Sequence, residues 1–363
     1  MNLLQFSNTR IDMKDNAFDF LRLFFALMVV YGHSWTYGFG RGSEAFKIHD
    51  MYGELAFGGL AVYGFFVISG FLITASILRS NDLREFFTKR FIRIMPGFWT
   101  CLFVLTTLIA PILYFINHGQ LLEYFSKYGV EAYQYFWNNS TLEIKNTSIG
   151  DILAKSKVNK LDDPFWSLIF EVRAYILLAI FWAIGVFKNK FLIFIPAAFF
   201  WFAYYGVTFV DGYRDWFSIW VGDWKIACLF SYFFVASAFY VWKDKVAMDW
   251  KVFILSISTT IYFIDIDKFA LVAPFTLTYC ILYIATVLPL RNISKNIGDL
   301  SYGVYIYSAP IQIILTSLGF AEFGYWQYVT LSVVLSLIAG YMSYNLIEKR
   351  FLEKRLTNKS INI

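Results

Sequence analysis

The stretch FDFLRLFFALMVVYGHSWTY, residues 18–37, decides how this chain is read. It is apolar and has the length, about 20 residues, that a helix needs to cross a bilayer. Yet it carries Arg22 and His33. An ionisable side chain in a spanning helix costs at least roughly 2.5–3.5 kcal/mol on insertion scales, so such a group marks a functional position facing the bundle interior. Eleven steps at about 3.6 residues per turn make slightly over three turns, so the two side chains share a face, roughly 16 Å apart along the axis. A fixed cation at one level and a titratable base at another suit a passage for an anionic or elongated substrate.

Composition supports a membrane setting. Of 363 residues, 58% are hydrophobic and 16% charged, against about 45–50% and 25% in soluble domains. The length would fit two soluble domains, but this composition predicts an all-α polytopic membrane protein instead. With 25 Tyr and 12 Trp, interfacial aromatic belts are expected, while the 41 Phe face lipid or fill the bundle. Cys101, Cys228 and Cys280 lie in apolar segments without metal or redox spacing, so they are read as packing residues and no metal is expected. No cleavable signal peptide is expected, because the first apolar segment is long, is interrupted by Arg22 and lacks a small-x-small site.

About ten spans are predicted, near 18–37, 53–78, 97–117, 165–187, 191–210, 225–242, 250–264, 269–290, 300–318 and 325–347. They make one membrane domain over 18–350, with short tails at 1–17 and 351–363. Residues 118–163 form the one long polar stretch. Placing both termini in the cytoplasm gathers 19 Lys and Arg on the inner side, against Arg41, Lys47, Arg214 and Lys268 in the short outer connections. The positive-inside rule then fixes the orientation and puts 118–163 outside as a long loop. The net charge of +5 sits on one membrane face and implies no nucleic acid.

With that orientation Arg22 lies about one turn inside the cytoplasmic end of its helix, and His33 roughly 6 Å from the outer end. Glu171 lies about 9 Å below the outer start of its span at Phe165, so His33 and Glu171 are expected at similar depth. A carboxylate beside an imidazole would orient it as a general base. Arg173, two residues on, points to the far side of that helix. Bland alternatives stand beside these readings. His33 could merely hydrogen-bond a neighbouring helix, Glu171 could fix packing by pairing with Arg22 or Arg173, and Asp19, three residues before Arg22, could partly neutralise it. In the basic connector at 79–96, Arg90 and Arg93 face the same way on a helical turn, beside Lys89 and before Pro96. Such a cluster suits a phosphorylated ligand, although it could equally set topology or touch anionic lipid.

Several of these elements together resemble the integral-membrane acyltransferase 3 family. They are the opening helix with Arg22 and His33, FGGLAVYGFFVISGFLI at 57–73, KRFIRIMPGFW at 89–99, FWSLIFE at 165–171 and SYGVYIYSAPI at 301–311. They occur in the family's order and cover about 20 to 350. The resemblance implies transfer of an acyl group, most often acetyl, from cytoplasmic acyl-CoA to a carbohydrate hydroxyl, on an O-antigen of lipopolysaccharide, a capsule, an exopolysaccharide or peptidoglycan. It implies His33 as the catalytic residue, Arg22 as essential, Arg90 and Arg93 as donor-holding, and Glu171 as the acid of the Trp-Ser-Leu motif. It also implies a bacterial inner membrane location. Many relatives carry a His near Ser308 and this chain has none, so no second intramembrane His acts here. The soluble hydrolase-like domain that follows the last span in some relatives is not expected. The rival from another class is a transporter of a glycan or lipid-linked sugar, which would move intact substrate without acyl-CoA. A homo-oligomeric state stays open.

Overall fold

Each of the predicted spans is helical over most of its described residues in the computed structural model, which describes residues 11, 16–40, 57–287 and 299–353. Most of both expected tails, and the segments at 41–56 and 288–298, lie outside the described residues. In chain order the long helices are α1 (Phe18–Phe39), α2 (Phe57–Leu78), α3 (Leu83–Val104), α4 (Ala110–His118), α5 (Glu123–Asn139), α6 (Trp166–Ala183), α7 (Phe194–Phe209), α8 (Tyr213–Val221), α9 (Lys225–Val241), α10 (Trp250–Asp265), α11 (Phe269–Val287), α12 (Ser301–Ser317) and α13 (Tyr325–Ser343). No strand occurs among the described residues.

The count of ten crossings is revised. Among the described residues six helical stretches are long and apolar enough to cross a membrane, or seven if α8 and α9, bent by 78° at their junction, form one broken span. The shortfall falls on α1, α10 and α12. α10 and α12 have only 16 and 17 residues, and α1 spends part of its 22 on Asp19, Arg22 and His33.

The basic connector is not a loop. It is the first half of a 36-residue helical rod from Leu83 to His118, in which α3 runs through a π-turn at Leu105–Ile109 into α4. Local chemistry starts it: Asp82 accepts the Glu85 amide at 2.6 Å, and the Glu85 carboxylate reaches back to the Asn81 amide at 3.1 Å. These bonds satisfy donors that a helix start would otherwise leave open. Pro96 lacks an N–H, yet it is carried inside the helix, with the Tyr302 hydroxyl bonding the Ile94 carbonyl at 2.8 Å nearby.

α2 is the central rod, apolar all round and in contact with α1, α3, α6, α9 and α11. Gly70 permits the closest approach: a Cβ there would fall 2.1 Å from the Phe233 carbonyl oxygen of α9. On the other flank α12 packs between α1 and α13. Cys101, Cys228 and Cys280 are buried and unbridged.

The 118–163 segment is folded rather than loose. α5 buries Tyr124 and Tyr135, and Asn139 ties the return of the chain by accepting the amides of Lys145 and Asn146 at 2.9 and 3.0 Å. The Tyr135 hydroxyl donates to Asp162 at 2.8 Å. Burial pushes the Asp162 carboxyl up to about 7.

Candidate active site

Arg22 on α1, Arg90 and Arg93 on α3, and Glu171 on α6 line a single cavity of about 420 Å³. α2 supplies Phe65 and Ser69 to its wall, and Asp299, Ser301 and Tyr305 close it from the side of α12. Arg79 and Lys89 stand at the end that the charge bias places toward the cytoplasm. Five cations, with the carboxylates of Glu171 and Asp299, thus line one space.

Those cations are not equivalent. Asp299 Oδ2 accepts from Arg22 Nη1 at 3.3 Å and from Arg93 Nη2. Its Oδ1 accepts from the backbone amide of Ser301 at 3.2 Å and from the Ser301 hydroxyl, so it also fixes the start of α12. Burial favours the neutral acid, but the Arg93 and Arg22 guanidiniums outweigh it and hold the Asp299 carboxyl below the usual carboxylate range. Arg93 reaches Glu348, only 2% exposed, at 3.5 Å, and Arg22 meets Asp19 at 3.4 Å, as their spacing predicts. Arg90 makes no ion pair or hydrogen bond with another described residue, and its Nε is buried without a partner. A guanidinium with five donors is thus aimed into the cavity unused.

Glu171 pairs with neither Arg22 nor Arg173. Its Oε1 accepts the Ser69 hydroxyl at 2.6 Å and the hydroxyl of Tyr175, one turn along α6. The Arg173 guanidinium instead lies over the Phe170 ring at 5.5 Å.

His33 is not in this cavity, and the expected pairing with Glu171 is not formed. The imidazole lies against Gly58 at the outer end of α2, where a Cβ would sit 3.7 Å from Cδ2 and Nε2. Glu171 meets α2 at Ser69, eleven residues and about 16 Å further along. The depths differ because the helices are offset against one another, so that equal distances from their ends are not equal depths. The carboxylate close enough to act electrostatically on His33 is Asp163. His33 is half-buried, its Nδ1 has no hydrogen-bond partner among the described residues, and the Tyr37 ring lies 5.7 Å away. Between Gly58 and Ser69 along α2, Phe65 lines the cavity and packs edge-on against Tyr305 at 5.7 Å and against Phe25 at 5.9 Å. The sequence reading missed Asp299 and Glu348, which reach Arg93 across 206 and 255 residues of chain. No local spacing could have shown this.

A bundle of apolar helices around a cavity lined by arginines defines a class, a polytopic helical membrane protein. Comparison narrows the class. Residues 15–345 match the model of the acyltransferase 3 family, described as an acyltransferase domain. The chain belongs to this family, and it is a multi-pass membrane acyltransferase. It is 28% identical over 363 residues to an O-acetyl transferase of Shigella phage Sf6, covering 96% of this chain and 99% of that protein. It is also 28% identical over 367 residues to nodulation protein 10 of Rhizobium leguminosarum bv. viciae, covering 96% of each. No solved structure matches.

Proposed function

We propose that the protein transfers an acetyl group from cytoplasmic acyl-CoA to a hydroxyl of a cell-surface or lipid-linked carbohydrate, in the bacterial inner membrane. The observation that carries this reading is Arg90, an unpaired guanidinium inside a cation-lined cavity. A phosphate of the donor is the group such a site attracts. The similarity to an O-acetyl transferase supports acetyl as the group moved.

In this reading the donor's phosphates lie against Arg90, flanked by Arg22 and Arg93, and the pantetheine arm extends past Ser69 toward Phe65 and Tyr305. The neutral imidazole of His33 takes the proton of the acceptor hydroxyl as that oxygen attacks the thioester carbonyl. The C–O bond forms, the tetrahedral oxyanion collapses, the C–S bond breaks, and the leaving thiolate receives the proton from the imidazolium. Phe65 is seven residues from Gly58 along α2, about 10 Å. The Phe25–Phe65–Tyr305 layer must therefore part for the thioester to reach His33.

The test uses purified protein in proteoliposomes with labelled acetyl-CoA and surface polysaccharide. Label should appear on the glycan with release of one free thiol per acetyl transferred. Movement of unmodified sugar with the thioester intact would replace this reading by the transporter.

A further inference from the structure

We propose that Asp299 is a positioning residue that clamps Arg22 and Arg93 and thereby leaves Arg90 as the guanidinium that takes the donor's anion. The proposal rests on the donor reading above for its ligand, but the clamp itself is a matter of geometry.

Three guanidiniums in one cavity of about 420 Å³ repel one another unless something fixes them. One oxygen of Asp299 serves both Arg22 and Arg93, and the other is committed to the amide and hydroxyl of Ser301. The carboxylate is therefore held by α12 while it holds α1 and α3. Arg93 has a second anchor in Glu348, itself fixed by the Ser343 hydroxyl at 3.0 Å. With acids on both sides of it, Arg93 has spent its charge within the protein. Arg90 lies three residues earlier on the same face of α3, beside Glu171 and Tyr175, with no ion pair to a described residue. The Arg90/Arg93 pair, alike in sequence, divides into one ligand-facing and one structural member. The clamp also explains why Arg22 faces the cavity: Asp299 holds it there from across the bundle.

Two measurements separate the clamp from the donor reading. The first is a double-mutant cycle on thermal unfolding of the detergent-solubilised protein. Removing one partner of a buried ion pair strands the other, whereas removing both relieves the strain. D299N and R93M should each lower Tm by roughly 5 °C or more, and the double variant should lose less than the sum of the two, with Glu348 still stranded. Additive losses would overturn the clamp. The second is titration with coenzyme A. R90A should weaken binding about tenfold or more, and D299N should raise KM for acetyl-CoA several-fold with kcat kept, partly rescued by D299E. A merely structural role would reduce the active fraction and leave KM unchanged, and that result would overturn Asp299 as a positioning residue. R93A binding coenzyme A worse than R90A would overturn the division between the arginines. If the unaltered protein binds no coenzyme A, the donor reading fails, and the cycle alone then decides the clamp.

Discussion

Among the described residues His33 and Arg90 each have a buried nitrogen without a hydrogen-bond partner, His33 against Gly58 of α2 and Arg90 in the cavity that Ser69 lines eleven residues further along α2. An unpaired buried polar group costs about 1–3 kcal/mol, so both mark places where a ligand completes the structure. Their separation gives a prediction that a single shared pocket would not. H33A should lower kcat by about 10²–10⁴-fold, the usual worth of a placed base, and leave coenzyme A binding within twofold of the parent. Equilibrium binding measured beside single-turnover transfer checks it, and a parallel loss of binding would place His33 in the donor site. At this scale the sequence was informative wherever one helix decided the outcome. Arg22 with His33, and Arg90 with Arg93, share faces because 3.6-residue periodicity says so. Asp299 was illegible because its partners belong to other helices, and the relative offset of two helices is set by packing, not by either sequence alone. The expected His33–Glu171 pair failed for the same reason.

At the scale of elements, the polar stretch at 118–163 shows what composition hides. Its mixed charge read as a loop, yet two tyrosines and an asparagine fold it around α5. Asp162 is the costly member, with its carboxyl pushed up to about 7 by burial. A carboxyl raised above its unfolded value of about 3.9 favours folding most fully below that value. The contribution is lost as pH rises through about 7, because the folded segment must then bury a charge. The three-unit difference corresponds to at most roughly 4 kcal/mol. Thermal unfolding should therefore show wild-type protein losing stability between about pH 4 and 7, and D162N, which keeps an acceptor for Tyr135, should lose less over that interval. Identical pH profiles for the two proteins would mean that Asp162 is ionised throughout. The basic connector teaches the converse lesson: its Asp82–Glu85 cap was present in the sequence, but the polar run between caps and span disguised one continuous helix.

For the whole molecule, the distribution of charge and the two sites make one claim about sidedness. On the ten-crossing reading of the sequence nineteen Lys and Arg would lie on the inner side, and Arg79 and Lys89 would carry that basic surface into the cavity they line. His33 lies at the other end of α2, against Gly58, within electrostatic reach of Asp163. A donor made inside and an acceptor presented outside would meet along α2, with the Phe65–Tyr305 layer between them. The three native cysteines are buried, so in a background lacking them a new thiol reports its own surroundings. S76C, in the cavity wall, should react with a membrane-impermeant maleimide only from the cytoplasmic side, and H33C only from the outer side. Saturating acetyl-CoA should protect S76C and leave H33C reactive. Labelling of both positions from the same side would break the two-sided arrangement, because donor and acceptor would then share one entrance and the aromatic layer would separate nothing.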